Sequence, residues 1–143
     1  MIVADASVAL KWFVADEPLA EEAAAIVRAG TPLIAPDLVV AEGANAAWRW
    51  ARLGRISPEN ATRIAVQLPS FFLRLVPAAE LAEEAMRLAH ALDHPVYDCF
   101  YLALAERDGV PLVTADTRLI EKVARSAWRK CAVALATYRA EAR

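Results

Sequence analysis

Asp5, Glu42, Asp98 and Asp116 each sit in a run of apolar residues. The runs are Met1-Ile-Val-Ala-Asp5, Leu38-Val-Val-Ala-Glu42-Gly-Ala, Asp98-Cys-Phe-Tyr-Leu-Ala-Leu-Ala105 and Val110-Pro-Leu-Val-Thr-Ala-Asp116. A carboxylate buried in such surroundings is costly unless it is paired, hydrogen-bonded or ligated to a metal. No run of Lys or Arg lies beside any of the four, so a divalent cation from solvent is the economical partner. Oxygen-only donors suit Mg2+ or Mn2+, which keep several waters and commonly bridge to phosphate. Such a centre activates water and stabilises a leaving oxygen, so phosphodiester hydrolysis is the natural chemistry. No Gly-rich phosphate loop or Ser/His/Asp set competes, and neither histidine neighbours a candidate nucleophile.

The elements that must position these acids follow from the apolar pattern. Short β-like runs fall at Ile2 to Ala4, Pro32 to Ala35, Phe72 to Val76, Leu112 to Thr114 and Cys131 to Leu135. Helical patterns between them fall near 7–14, 18–29, 37–53, 58–68, 79–92, 96–108 and 117–125. Pro18 and Pro58 suit first helical turns, Ser57 suits an N-cap, and Gly30, Gly54 and Gly109 each follow a helical pattern. Strand–helix alternation with near-continuous apolar strands predicts one α/β domain, a parallel sheet of four to five strands with helices on both faces. That domain is expected to span residues 1–143, with its core over about 2–136 and a short C-terminal tail.

Ligands of open parallel sheets bind beyond the carboxyl ends of the strands, where the strand order reverses. Asp5 follows the first strand and Asp116 the Leu112 to Thr114 strand, so the two meet if those strands are neighbours. Glu42 and Asn45 are three apart on a helical pattern and share a face, with Arg49 seven after Glu42 on the same stripe. That stripe is either an active-site wall or a solvated face. Asp98 opens a segment that is apolar all round, either as a metal ligand or as a first-turn acid complementing the helix dipole. Ser7 and Thr114 stand two residues after Asp5 and two before Asp116. Their hydroxyls suit orienting carboxylates or holding a water, though Ser7 equally suits a helix cap.

Composition limits the alternatives. The chain has 143 residues, 58% of them hydrophobic, with net charge −2 and mean hydropathy +0.30. No run approaches the ~18 apolar residues needed to span a bilayer, and the N-terminus lacks a basic region and signal core. A cytoplasmic protein is expected, with its surplus apolar surface covered by a partner or a second copy. The acidic balance makes the whole molecule no magnet for nucleic acid, but Arg49, Arg52 and Arg118 sit in locally basic stretches that suit a phosphate backbone. Cys99 and Cys131 cannot build a zinc cage and read as buried free thiols. His90 and His94 have a zinc-like spacing, but Asp93-His94-Pro95 reads as a helix boundary, so they need not share a face.

Four stretches in order resemble the PIN-domain ribonucleases, specifically the VapC-type toxins of toxin–antitoxin pairs. They are Val3-Ala-Asp-Ala-Ser-Val-Ala-Leu-Lys-Trp-Phe13, Glu42-Gly-Ala-Asn45, Pro95-Val-Tyr-Asp-Cys-Phe-Tyr-Leu-Ala-Leu-Ala105 and Leu112-Val-Thr-Ala-Asp-Thr-Arg-Leu119. The resemblance implies a three-layer α/β/α PIN fold and an Mg2+- or Mn2+-dependent endoribonuclease. Asp5 and Asp98 would be the principal metal ligands, with Glu42 and Asp116 completing the pocket. It also implies products with a 5′-phosphate and a 3′-hydroxyl, a homodimer, and inhibition by a small antitoxin. One departure is that Thr117-Arg-Leu-Ile120 lacks the further acid some members carry, with Glu121 the nearest substitute. Two rivals are a metal-dependent phosphatase, which would want an acid where Ser7 stands, and a catalytically idle scaffold acting through antitoxin or operator complexes.

Overall fold

A computed structural model describes residues 1–140 around a central sheet of five short strands. These are β1 Ile2–Ala4, β2 Leu33–Pro36, β3 Arg74–Val76, β4 Leu112–Thr114 and β5 Ala132–Ala134, in the order β3-β2-β1-β4-β5. Every pairing is parallel. β1, β2 and β4 are buried throughout, which is why they read as unbroken apolar runs rather than alternating ones. The helices are α1 Ala6–Ala9, α2 Ala20–Arg28, α3 Leu38–Arg52, α4 Pro58–Gln67, α5 Ala82–Leu92, α6 Val96–Asp108 and α7 Thr117–Ala124. They flank the sheet in the three-layer α/β/α arrangement that the sequence predicts. None is long and apolar enough to cross a membrane.

From β1 the chain builds outward to β2 and β3, then returns to the other side of β1 as β4. The order therefore reverses between β1 and β4, where open parallel sheets leave a crevice for ligands. Val3 pairs with Leu112 and Ala4 with Val113, so Asp5 and Asp116 leave two adjacent strand ends.

Helix α6 passes behind this crevice and packs on β1, β2 and β4. Cys99, Tyr101, Leu102, Ala103, Leu104 and Ala105 are all buried, which explains the absence of a polar face from its sequence. Gly109 ends it at φ 65°, and the Val110 N–H closes on the Ala105 carbonyl at 3.1 Å. Its start is fixed as firmly: Asp93 turns left-handed at φ 49° to end α5, and Pro95 precedes the first residue of α6. His90 thus lies on α5 and His94 on the junction, consistent with the boundary read from Asp93-His94-Pro95.

Several elements are shorter than predicted. The helix expected near 7–14 is α1 followed by a 3-10 turn over Leu10–Trp12, and Pro18 precedes α2 rather than sitting in its first turn. Leu19, at φ 63°, separates the two. α4 stops at Gln67 because Pro69, in the 3-10 turn Leu68–Phe71, has no N–H to continue the ladder. The third strand accordingly begins at Arg74, not Phe72. Another 3-10 turn, Ala78–Glu80, takes the start of the helix expected from 79. Cys99 is buried but Cys131 is only partly so; burial pushes the Cys99 thiol up to about 11, which keeps it an inert thiol.

Gly43, which costs α3 about 1 kcal/mol relative to Ala, has a packing reason. A Cβ there would overlap Cδ2 of Leu68, which is fully buried where α3 meets α4 and the following turn. We expect Gly43→Ala to lower stability by about 1 kcal/mol despite its better propensity, because overpacking a filled site costs about 1–3 kcal/mol. Urea unfolding of the two proteins, with the shift in midpoint at constant slope, checks this.

Candidate active site

Asp5 is the most buried of the four acids, with 5% of its surface exposed. It leaves β1 in extended backbone and caps α1, accepting from the Val8 N–H at 3.1 Å. The Ser7 hydroxyl donates to the same oxygen, Oδ1, at 2.6 Å, and the Thr114 hydroxyl donates to Oδ2. Burial nevertheless prevails over these bonds and raises its pKa from 3.8 to about 6, with Asp98 adding a smaller push.

The two supporting hydroxyls knit the strand ends together. Ser7 Oγ accepts from the Ala115 N–H at 2.9 Å, and Thr114 Oγ1 accepts from the Asp116 N–H at 3.0 Å. Thr114, fully buried, therefore links the carboxylate of Asp5 to the backbone of Asp116. Asp116 caps α7, its Oδ1 accepting from the N–H groups of Arg118 and Leu119 at 2.8 and 3.1 Å. That capping satisfies orphan donors at a helix start.

Glu42 and Asp98 arrive from α3 and α6. Glu42 accepts from the hydroxyl of Tyr101, and burial raises its pKa against that hydrogen bond, with Asp98 and Asp5 adding to the rise. Tyr101, one α6 turn beyond Asp98, is itself pushed up by burial and by the Glu42 charge, so it remains a donor. Asp98 Oδ2 lies 2.7 Å from Nε2 of His94. All four acids line one cavity of about 310 Å3, together with Ser7, Asn45, Arg49 and Tyr101. Among the described residues no Lys or Arg forms an ion pair with any of the four.

The structure thus brings together Asp5, Glu42, Asp98, Asp116, Ser7, Asn45, Thr114 and Arg49. Arg118 lines an adjoining cavity of about 460 Å3 that shares Asp98 and Asp116 with the first and also touches His94, Lys122 and Arg125. Arg52 is set apart: it stacks on Trp48 at 5.0 Å and faces a groove between α3 and α4. Ten residues beyond Glu42 on a helix of 3.6 per turn, it points about 80° off the Glu42 stripe. Tyr101 and His94 were not among the predicted site residues. Tyr101 has a signal, standing three residues after Asp98 on the same helix, whereas His94 precedes the helix and has none.

A divalent cation fits this donor set. Burial raises the pKa of Asp5 and of Glu42, with the Asp98 charge adding to both, and among the described residues no Lys or Arg pairs with any of the four acids. Asp98 and Asp116, with His94, also bring ligand atoms within 4.8 Å of one another. With no cation bound, Asp5 makes the fold less stable as pH rises. Its folded pKa of about 6 exceeds the unfolded 3.8, so the native state holds the proton more tightly and stability falls as pH rises through that window. Glu42 shifts in the same direction. We expect wild-type protein in chelator to lose up to about 3 kcal/mol between about pH 4 and pH 7 relative to Asp5→Asn, at about 1.4 kcal/mol per pKa unit. Thermal melts of both proteins across that range measure the difference.

Comparison with known proteins agrees with this architecture. The PIN domain profile matches residues 2–126. A curated relative, Ribonuclease VapC3 of Pyrobaculum aerophilum, is 36% identical over 123 residues, covering 85% of this chain and 93% of the relative. Exonuclease VapC9 of the same organism is 35% identical over 85 residues, 59% of this chain and 62% of the relative. The crystal structure of PAE2754 from Pyrobaculum aerophilum superposes with a TM-score of 0.68 at 28% identity, covering 95% of this chain and 84% of that one. With the family profile over most of its length and acids at the β1–β4 crevice, the chain belongs to the PIN-domain family, as a protein of the VapC type.

Proposed function

We propose that this protein is a toxin-type endoribonuclease that hydrolyses RNA phosphodiester bonds with Mg2+ or Mn2+ held by Asp5, Asp98, Glu42 and Asp116. The observation that supports the reading best is the single cavity lined by four carboxylates at the strand-order reversal, with no Lys or Arg among the described residues paired to them. Curated relatives named ribonuclease and exonuclease lend the substrate class.

A cation there would lower the pKa of water and offset charge on the phosphoryl oxygens. The chain's own residues set the stage for it. Thr114 and Ser7 hold both oxygens of Asp5, Tyr101 holds Glu42, and Asp116 is fixed by its cap on α7. Arg49 stands in the cavity wall free of any ion pair to the acids, where its guanidinium suits an incoming phosphate. Arg118, at the next cavity, suits the adjoining backbone. Hydrolysis would leave a 5′-phosphate and a 3′-hydroxyl. The reading extends to inhibition by a small antitoxin, which the VapC-type relatives support, and to a cytoplasmic homodimer.

The phosphatase alternative fares worse, because Ser7 hydrogen-bonds Asp5 and the Ala115 backbone where that chemistry wants a free acid. Incubating purified protein with circular RNA and with p-nitrophenyl phosphate separates the readings. Cutting of the circle in Mg2+, at sites mapped by sequencing, is expected. An intact circle with a degraded linear control would make the enzyme an exonuclease, and turnover of the small ester alone would make it a phosphatase.

A further inference from the structure

We propose that His94 is the positioning residue for Asp98, its imidazole gripping one carboxylate oxygen from the side away from Asp5 and Glu42 and leaving the other free to hold a cation. The inference rests on the metal-dependent reading above and deepens it.

His94 is held on both sides. Its N–H closes on the Ala89 carbonyl at 3.2 Å after the left-handed Asp93, and Pro95 restricts it from the other side. Its side chain is only 5% exposed, whereas that of Asp98 is 28% exposed. The 2.7 Å contact runs from Nε2 to Asp98 Oδ2. An ionised carboxylate only accepts, so Nε2 carries the hydrogen and donates.

The placement of the ring decides its role. Asp98 lines both cavities, but His94 lines only the one away from Asp5 and Glu42. The imidazole therefore meets Asp98 on the side of the second cavity, where Asp116 but neither Asp5 nor Glu42 is found. Among the described residues Oδ1 of Asp98 has no hydrogen-bond donor, which leaves it to the cation. Asp98 stands on the first turn of a helix and, unlike Asp5, has no pair of hydroxyls to fix it. A rigid buried donor does that work here. The His94 ring lies within 4.8 Å of ligand atoms of Asp98 and Asp116. The hydrogen on Nε2, held by Asp98 Oδ2, and the ring's distance from the cavity of Asp5 and Glu42 nevertheless make it a partner of Asp98 rather than a ligand. Partners that orient metal ligands in this way are typically worth about 10–100-fold in metal affinity.

The test is calorimetric titration of Mn2+ into wild type, His94→Ala and His94→Gln, with pulsed electron paramagnetic resonance of the Mn2+-loaded wild type. His94→Ala should bind Mn2+ about 10–100-fold more weakly and recover RNA cleavage as Mn2+ is raised. His94→Gln, whose amide can donate with similar reach, should regain most of the affinity. The wild-type spectrum should show no directly bound nitrogen. Equal affinity in His94→Ala, a Gln variant as weak as Ala, or a nitrogen-coupled Mn2+ spectrum would each overturn the proposal. If His94→Ala does not fold, the Gln variant and the wild-type spectrum decide it. Wild type that binds no Mn2+ would remove the metal centre itself, whereas binding and cleavage unaffected by His94→Ala would remove only this role.

Discussion

Asp5→Asn should lower RNA cleavage by about 10^3-fold or more, the loss of several kcal/mol of charge stabilisation, while making the chelated protein more stable. The two effects are linked. Asp5 is nine-tenths buried or more, and its pKa is raised to about 6 because burial outweighs three hydrogen bonds. At neutral pH the protein therefore holds an ionised carboxylate that folding disfavours. Asparagine removes that charge and keeps an oxygen for the Val8 N–H and the Ser7 hydroxyl. Its amide must then face Thr114, which loses its acceptor, a loss of about 1 kcal/mol. The net gain expected in chelator is about 1–2 kcal/mol, read as a higher melting temperature. Asp98→Asn should match the loss of cleavage without the gain in stability, because Asp98 is partly exposed and already has His94 beside it. A trade of stability for function at a charged site is common in enzymes. Cleavage by Asp5→Asn within about tenfold of wild type would refute the assignment of Asp5.

The largest purely structural effect is expected at Thr114. Its hydroxyl donates to Asp5 and accepts from the Asp116 N–H, and the residue is completely buried. Thr114→Val keeps the shape but leaves an ionised acceptor and a backbone donor unpaired. Unsatisfied buried groups of this kind cost about 1–3 kcal/mol each, so a loss of about 3 kcal/mol is expected at neutral pH. For a domain of this size that is a fall in melting temperature of roughly 6–12 °C. Thr114→Ser, which keeps the hydroxyl, should recover most of it. Cleavage should fall in the Val variant too, since Asp5 and Asp116 lose their shared tether. A Val variant as stable as wild type would show that water replaces the hydroxyl and that Thr114 is not the tether.

The acids were legible in the sequence because charge in apolar runs is energetically conspicuous, and Asp5 and Asp116 were placed by the general habit of parallel sheets. Their partners were harder to see. Tyr101 looks like one more apolar member of α6 until the fold sets its hydroxyl against Glu42, fifty-nine positions away. His94 is separated from Asp98 by the start of a helix, so helical spacing alone does not predict their meeting. Arg52 was grouped with Arg49 by local charge, whereas helical geometry turns it toward Trp48. Gly43 has no local signal at all, since its reason is the side chain of Leu68 on another element. Strand and helix ends moved wherever proline or a left-handed residue intervened, as at Pro69 and Leu19.

These carboxylates, expensive to bury alone, are proposed to form together the seat of a catalytic cation. Calorimetric titration of Mn2+ into metal-free wild type and Asp5→Asn at about pH 7.5 tests it most directly. Saturable binding by the wild type that is lost or sharply weakened in Asp5→Asn is the predicted result. No binding to the wild type, or binding indifferent to Asp5, would contradict it.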